Sequence, residues 1–550
     1  MKDQRDNDAQ RLVGGDFSGI QPYIYQITSK YAKRNLKGRS FYLQLLSDSI
    51  VRYLLSRLKL GEDNVICNAG GCFCITMPDT EECVGRLRSS IEHIEETMLQ
   101  YHGTSLYVAI DSVVLERGAL GDTFEKLFAR RDAAKQHRYS ALLKKQKSTF
   151  FQPICENYNI VDCVTGAPFA MGEQAEQYKG SKDVLSPLQH VTKLQLELGQ
   201  ILSSASKMAV RQSRWDSPPD GSYHIEPLGL GFHYYFFNQE TQEGDGMDMS
   251  SFYSGTETDG RGKKYSFEEM IDGLEDENKG AFRRLGVLRM DVDNLGHTFQ
   301  NKAREKNATL EGYSDLSRRL ADFFGGHLHA MWSAYNPARC QIVYSGGDDL
   351  FMVGRWDVVL EFAEKVASAF RTTFPGYTIS GGVAVIEIKS PIMKGAEQAG
   401  YLEDVAKDHV CGDRSKNSMA FLGMALNWEE EYPIVKRLKD TFLQLESRKA
   451  HALEASLRGK IIQHIANAHM DKHKICNPKT YWMLSYDLGR LRSRYCGAES
   501  QDIRDLISNC ITEVCHSGDT LNGTTIKTHY HAIELWALAA RWAELEQRTN

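Results

Sequence analysis

No Cys-x-x-Cys pair occurs anywhere in the sequence. Structural zinc sites and many redox sites are built from that spacing, so neither is indicated. The 12 cysteines are scattered over 550 residues, which fits a reducing compartment better than a disulfide framework. Cys155 and Cys163 are the nearest approach to a zinc fragment, and free thiols in a loop or core are the plainer reading of two cysteines that far apart. Long apolar runs are missing too: none reaches the roughly 18–20 residues that a membrane helix needs. The opening Met-Lys-Asp-Gln-Arg-Asp-Asn-Asp lacks the apolar core of a signal peptide. Together these absences give the expectation of a cytoplasmic protein. A positive surplus is also absent. The net charge is −6, so a nucleic-acid partner would need a local basic face.

What is present suggests a chain of roughly three or four domains. Its chemistry concentrates in two stretches. Leu285 to Gly296 reads Leu-Gly-Val-Leu-Arg-Met-Asp-Val-Asp-Asn-Leu-Gly, and Ile342 to Val353 reads Ile-Val-Tyr-Ser-Gly-Gly-Asp-Asp-Leu-Phe-Met-Val. Each is an apolar run that leads into carboxylates. The second predicts a β-hairpin with acids at its tip. Side by side, the two would bring Asp291 close to Asp348 and Asp349. Three such carboxylates repel one another unless a cation sits between them. Hard oxygen ligands favour Mg²⁺ or Mn²⁺, and such sites also hold substrate phosphates. That is a two-metal nucleotidyl-transfer site, with Asp291, Asp348 and Asp349 as catalytic and metal ligands and the Val292 carbonyl as a further oxygen. The turn through Asn294, Leu295 and Gly296 offers backbone amides to phosphates. Gly346 and Gly347 permit close approach of substrate, and Lys407 and Lys416 could meet the triphosphate as point charges. Asp293 either joins the metal face, since alternate residues share a strand face, or belongs to the turn. A solvated acidic turn is the plain alternative for the whole motif.

The order of elements supports this. Strand 13–21, a helix through Leu43, Leu46, Ile50, Leu54 and Leu58, a hairpin around Asn68 to Cys72, a helix 80–101 and a strand 105–110 make a ferredoxin-like core. The order recurs as strand 285–291, helix 314–333, hairpin 340–353, helix 357–374, strand 377–386 and helix 391–407, which predicts two copies of one architecture. The first copy has no acid at its hairpin tip. The fold class expected is α+β. It comprises a first palm (1–125), an intervening α/β insert (126–280), a second palm with the active hairpin (281–428) and an all-α C-terminal domain (429–550). Helix is expected over Val191 to Met208, strand over His224 to Phe237, and an exposed loop over Asn238 to Lys264. The basic segments Lys30 to Arg39 and Leu127 to Lys147 are solvated faces or RNA or partner contacts.

In combination these motifs resemble the large polymerase-like subunit of type III CRISPR effector complexes, of the Csm type. The residues that carry the resemblance are Gly15-Asp16-Phe17-Ser18-Gly19-Ile20-Gln21 with Lys37 to Leu43, Leu285 to Gly296, Ser317-Arg318-Arg319-Leu320 with Phe323-Phe324, Tyr344 to Phe351, Ala406-Lys407 and Lys416-Asn417. The resemblance implies two palms of the GGDEF and cyclase type facing one another with ATP between them. It implies cyclic oligoadenylate synthesis, by 3′–5′ linkage, when the guide pairs with target RNA. Ser18 and Gly19 would then lie near the acceptor nucleotide, and Ser345 joins the nucleotide-binding hairpin. The implied partners are a guide RNA, target RNA, a small helical subunit and the subunit that holds the guide's 5′ end. Two departures stand out. Only about 12 residues precede the first palm and no His-Asp dipeptide occurs, so no HD-type DNA cleavage is expected from this chain. The family's four-cysteine zinc site lacks its paired spacing here, which leaves zinc doubtful.

Three rivals compete. A GGDEF-type diguanylate cyclase would carry Glu at the position of Asp349 and often an Arg-x-x-Asp before the hairpin; that spacing falls on Pro337 and Cys340. A non-catalytic palm scaffold of the ribonucleoprotein is the second. A palm enzyme making another adenylate product is the third.

Overall fold

The computed structural model of the chain describes residues 9–25, 32–116, 118–145, 156–161, 168–170, 187–202, 205, 207–237, 248–251, 266–272, 282–296, 301, 309–448, 451–467, 470–471, 474–475, 479–515, 520–521, 524–525 and 527–548. Cys155, Cys163, Lys30, Lys147 and most of the stretch 238–264 lie outside them. The fold is mixed α/β. It groups into two compact units, one of Met1–Ser266, Asn294–Met352 and Lys389–Lys394, the other of Phe267–Asp293, Val353–Ile388 and Gly395–Asn550.

The first sheet uses β1 (Gln10–Ser18), β2 (Val65–Ala69), β3 (Cys72–Pro78) and β4 (Tyr107–Val114), with helices Ala32–Leu58 and Glu81–His102 between strands. Its order is β2-β3-β1-β4, with β1 antiparallel to both β3 and β4. β1 is buried on both faces along its middle, including Leu12 and Val13. The reason is a further helix, Leu120–Gln136, packed on β1 and β4. A side chain at Gly14 would run into Leu127 at 2.8 Å. Thr80 caps the Glu81–His102 helix, its hydroxyl accepting from Cys83 N at 3.2 Å, and Glu81 and Glu82 follow in the first turn. Both features favour a helix start there.

A short ribbon pairs β5 (Glu156–Val161) with β6 (Pro168–Ala170). Helix Pro187–Ile201 then leads into a second sheet of β7 (Lys207–Arg211), β8 (Tyr223–Ile225), β9 (His233–Phe237) and β10 (Asp248–Ser251), in the order β10-β7-β9-β8. The expected helix over Val191 to Met208 is therefore too long: it ends at Ile201, and Met208 pairs with Phe236 in a strand. This helix crosses Ala32–Leu58 with backbones in contact. A Cβ at Gly38 would fall 1.8 Å from the Gln195 carbonyl, and one at Gly199 would fall 1.9 Å from that of Arg34.

The third sheet contains β11 (Leu285–Val292), β12 (Cys340–Gly346), β13 (Asp349–Arg355) and β14 (Ile379–Ile386). A ribbon of β15 (Val410–Cys411) and β16 (Arg414–Ser415) precedes β17 (Ser418–Phe421) and β18 (Met424–Asn427). The sheet order is β12-β13-β11-β14-β17-β18. Its first four strands repeat the order of the first sheet, and β17 joins parallel to β14. The expected single helix 314–333 is instead Leu310–Asp322, a π turn at Phe323–His327, and Leu328–Tyr335. The Gly325-Gly326 pair weakens the helix at that point.

Beyond β18 come helices Tyr432–Glu446, Ser456–Ala466, Lys479–Arg492, Gln501–Cys515 and Ala532–Gln547. Trp536 and Phe442 meet edge to face at 5.9 Å in their core. The C-terminal region is not wholly helical, since two-stranded ribbons pair Met470–Asp471 with Lys474–Ile475 and Thr520–Leu521 with Thr524–Thr525. No described helix is long and apolar enough to cross a membrane.

Candidate active site

Asp291 stands one residue from the end of β11, and Asp348 and Asp349 stand at the β12–β13 turn. One carboxylate oxygen from each can be chosen so that all three lie within 4.8 Å of one another. All three side chains are half-buried. Among the described residues this is the only group of three or more His, Cys, Asp or Glu side chains so arranged. Three clustered carboxylates with no thiol or imidazole form a donor set suited to a hard divalent cation.

Asp291 also takes an ion pair from Lys407 Nζ, which reaches Glu403 Oε1 at 2.7 Å as well. Glu403, buried, holds Arg289 at 3.1 Å through its other oxygen. Burial disfavours the Lys407 charge, but Asp291 and Glu403 outweigh it and raise its pKa above the usual lysine range. Lys407 thus lies against one of the three clustered carboxylates. Glu403 and Arg289 were not anticipated. Glu403 sits four residues before Lys407 on helix Ile392–Asp408, a spacing that brings side chains together on a helix and could have flagged it.

Of its two expected roles Asp293 takes the second, as a turn residue directly after β11. It is 4% exposed and lies outside the three-acid group. Its Oδ2 accepts from Thr378 Oγ1 at 2.7 Å, Ser380 Oγ at 3.0 Å and the Asn417 amide at 3.1 Å. Its own amide donates to the Thr378 carbonyl at 2.9 Å. Ser380 is the register partner of Asp291, so Asp293 ties the acid-bearing strand end to β14 and to the entry of β17. Burial raises the Asp293 pKa, against the opposing effect of these hydrogen bonds and of Lys416. Lys416 and Asn417 both adopt positive φ, +65° and +50°, which places Lys416 in a tight left-handed turn beside that carboxylate.

The remaining expected residues fall in different places. Asn294 is an exposed turn residue with φ +55°. Val292 is buried, with its backbone at the same strand end as Asp291. Ser345 is buried and its hydroxyl donates to the Phe324 carbonyl in the π turn. Gly346 and Gly347 line a cavity of about 280 Å³ with Gln44, Ser47, Asn68 and Gly70. Gly347 and Asp348 also line a second cavity, of about 240 Å³, with Leu295, Gly296, Tyr313 and Arg131. The two hairpin tips meet here: a Cβ on Gly70 would lie 3.0 Å from Gly347 Cα and 3.4 Å from Asp348 Oδ1. Both glycines have positive φ, +62° and +66°, so neither position accommodates a side chain without strain.

Ser18 Oγ accepts from Arg138 Nη2 at 2.5 Å, and Gly19 has φ +91° with Ser105 O where a side chain would go. Lys135 pairs with Asp16 at 2.5 Å, and Arg131, buried, donates to Gly15 O at 3.4 Å. Part of the basic segment Leu127 to Lys147 is therefore folded onto β1. In the other basic segment, Arg39 is buried and donates to Tyr23 O at 2.7 Å, so that arginine is a core residue.

Comparison with known proteins agrees with this architecture. Residues 9–154 match the family model for the Csm1 subunit domain B, and residues 284–420 match that for the Cas10/Cmr2 second palm domain. The chain is 29% identical over 411 residues to the CRISPR system single-strand-specific deoxyribonuclease Cas10/Csm1 (subtype III-A) of Enterococcus italicus, covering 72% of this chain and 52% of that protein. It is 29% identical over 435 residues to the protein of the same name from Mycobacterium tuberculosis, with the same coverage. The chain thus spans about half the length of these curated relatives. Among solved structures, a Csm1–Csm4 cassette in complex with cA3 aligns with TM-score 0.65 at 19% identity, over 98% of this chain and 71% of that one. A Csm1–Csm4 subcomplex of the type III-A CRISPR-Csm interference complex aligns with TM-score 0.60 at 21% identity, with the same coverage.

Proposed function

We propose that the chain is a Cas10/Csm1-type subunit of a type III-A CRISPR system, the subunit that turns ATP into cyclic oligoadenylate when the assembled complex captures target RNA. The observation that carries this reading is the convergence of Asp291, Asp348 and Asp349 at the end of a sheet whose first four strands have the palm order. Related solved structures support the same reading, since Csm1–Csm4 cassettes form complexes with cA3, cA4 and ATP.

The chain is read as four parts: a first palm over 1–125, an insert over 126–280, a second palm over 281–428 and a C-terminal domain over 429–550. Asp291, Asp348, Asp349 and the Val292 carbonyl would hold two Mg²⁺ or Mn²⁺ ions. Bound there, such ions activate the attacking 3′-hydroxyl and offset the charge of the departing pyrophosphate. The chain's own residues do the rest. Glu403 and Asp291 keep Lys407 protonated at the edge of the site, where a triphosphate oxygen could exchange for a carboxylate. Asp293 fixes the end of β11 and the Lys416 turn. Gly346 and Gly347 clear space for a nucleotide at the tip, and Leu295, Gly296 and Ser345 shape its surroundings. Ser18 and Gly19 of the first palm contact the acceptor. Guide RNA, target RNA, a Csm4-type subunit that holds the guide's 5′ end and a small helical subunit are the proposed partners, in the cytoplasm.

The test is to incubate the assembled complex with target RNA, Mg²⁺ and labelled ATP and to identify the product by mass. Cyclic adenylates that disappear in excess EDTA are expected. Undiminished synthesis in EDTA excludes the two-metal reading. A linear product keeps the site and changes the acceptor step.

A further inference from the structure

Seven large apolar side chains stand out as exposed among the described residues, and three of them, Trp482, Met483 and Tyr486, lie on one helix, Lys479–Arg492. Trp482 is 58% exposed and Tyr486 61%. The opposite face of that helix is sealed by Thr480, Leu484, Leu488 and Leu491, so the aromatics contribute nothing to the core. At 3.6 residues per turn, Lys479, Trp482, Tyr486 and Arg490 fall on one stripe, and all four are exposed. The Arg490 guanidinium sits over the Tyr486 ring at 5.8 Å. No acid lies on the stripe. Asp487, on the same helix at the stripe's margin, is held by His464 at 3.0 Å and Lys460 at 3.8 Å and also feels the Arg490 charge. The two aromatic planes are about one turn apart, roughly 6 Å along the axis. In a chain of net charge −6, this stripe is positive and planar.

We propose that the Trp482–Tyr486–Arg490 stripe is a stacking platform for single-stranded nucleic acid, two bases lying on the indole and phenol while Arg490 meets a phosphate. Every base has a π-face and every linker a negative charge, so such a surface binds unpaired strands with little sequence preference and leaves duplexes, whose bases are already stacked, largely alone. A cation over an aromatic ring strengthens the platform. The proposal is independent of the catalytic reading, because the stripe shares no residue with the acid site.

The test uses the full chain and a fluorescent single-stranded oligouridylate, with the same strand in a duplex as control. Trp482→Ala with Tyr486→Ala is expected to weaken binding of the single strand at least about tenfold, since each stacked base carries that order of effect. Arg490→Ala is expected to lower the salt dependence by about one phosphate. Circular dichroism and thermal melting should be unchanged, as these side chains are exposed. Equal affinity of the double variant and the wild type overturns the proposal. So does a double variant that binds RNA normally but fails to co-purify with another subunit of the complex, which would make the stripe a protein contact.

Discussion

The Val65–Pro78 hairpin and the Cys340–Arg355 hairpin occupy the same place in two sheets of the same strand order. Both carry a Gly-Gly pair at the tip, and the tips touch. After the glycines one chain continues with Cys72 and Phe73, the other with Asp348 and Asp349. Cys72 is a neutral thiol: burial first, and Asp16 second, push its pKa up. The parallel extends to the central strands. Asp16 on β1 pairs with Lys135, and Asp291 on β11 pairs with Lys407. In each sheet the lysine follows the fourth strand, on the next helix. The fold therefore reproduces the strand order, the glycine turn and the central Asp–Lys pair twice, and it places acids at only one tip. What distinguishes the two halves is chemistry at two positions, carried on a shared frame of apolar strands.

Five substitutions probe that difference. Asp293→Ala would leave Thr378, Ser380 and the Asn417 amide without their acceptor in a buried site. A loss of about 2–4 kcal/mol in denaturant stability is expected, concentrated in the half that carries the acids. A loss below ~0.5 kcal/mol would show that the clamp is not needed. Next, Lys407→Met is expected to slow synthesis by about 10- to 100-fold, or roughly 1.4–2.7 kcal/mol in barrier. The matching Lys135→Met should change the rate by less than about threefold. Equal losses would mean that the two Asp–Lys pairs work alike and that the halves are not chemically distinct.

The smallest effect concerns acid, where the halves should behave similarly. Burial lowers the pKa of His102, at the end of helix Glu81–His102, to about 3. Burial, followed by the nearby Lys37 charge, lowers that of His329, on the helix before β12, to about 4. Each is neutral when folded. The unfolded chain takes up the proton near pH 6.5, so stability is full above that pH and is lost as pH falls toward 4 and 3, by up to about 1.4 kcal/mol per pH unit for each group. His102→Gln and His329→Gln should each flatten the stability profile between pH 6.5 and 4. An unchanged slope in either variant would show that the corresponding histidine is not held neutral.

The element order of both sheets was legible because each strand is an apolar run closed by glycine or a carboxylate, and because the run repeats. The three acids paired from the sequence are the three that the structure brings together, since a hairpin tip and a strand end are local features. The Asp293 clamp was not legible: Thr378, Ser380 and Asn417 are more than 80 residues away in sequence and give no periodic signal. Nor was the packing of Leu120–Gln136 on the second face of the first sheet. Its arginines and lysines read as a solvated or partner-facing surface, while Arg131 and Lys135 turn inward to β1 and the exposed Arg138, just past the helix, reaches Ser18. The π turn at Phe323–His327 was hidden in a helix whose apolar spacing looks continuous, although Gly325-Gly326 hints at it.

If the acid-bearing tip is the chemical half, removing its acids should stop the reaction, whatever the other tip carries. The direct measurement is ATP turnover by the assembled complex with Asp348→Ala and Asp349→Ala combined, beside wild type and with assembly checked by co-purification. A fall of at least about a thousandfold with intact assembly is predicted, the scale expected when metal-held charge stabilisation is removed. Turnover at the wild-type rate would contradict the account and move the chemistry elsewhere in the chain.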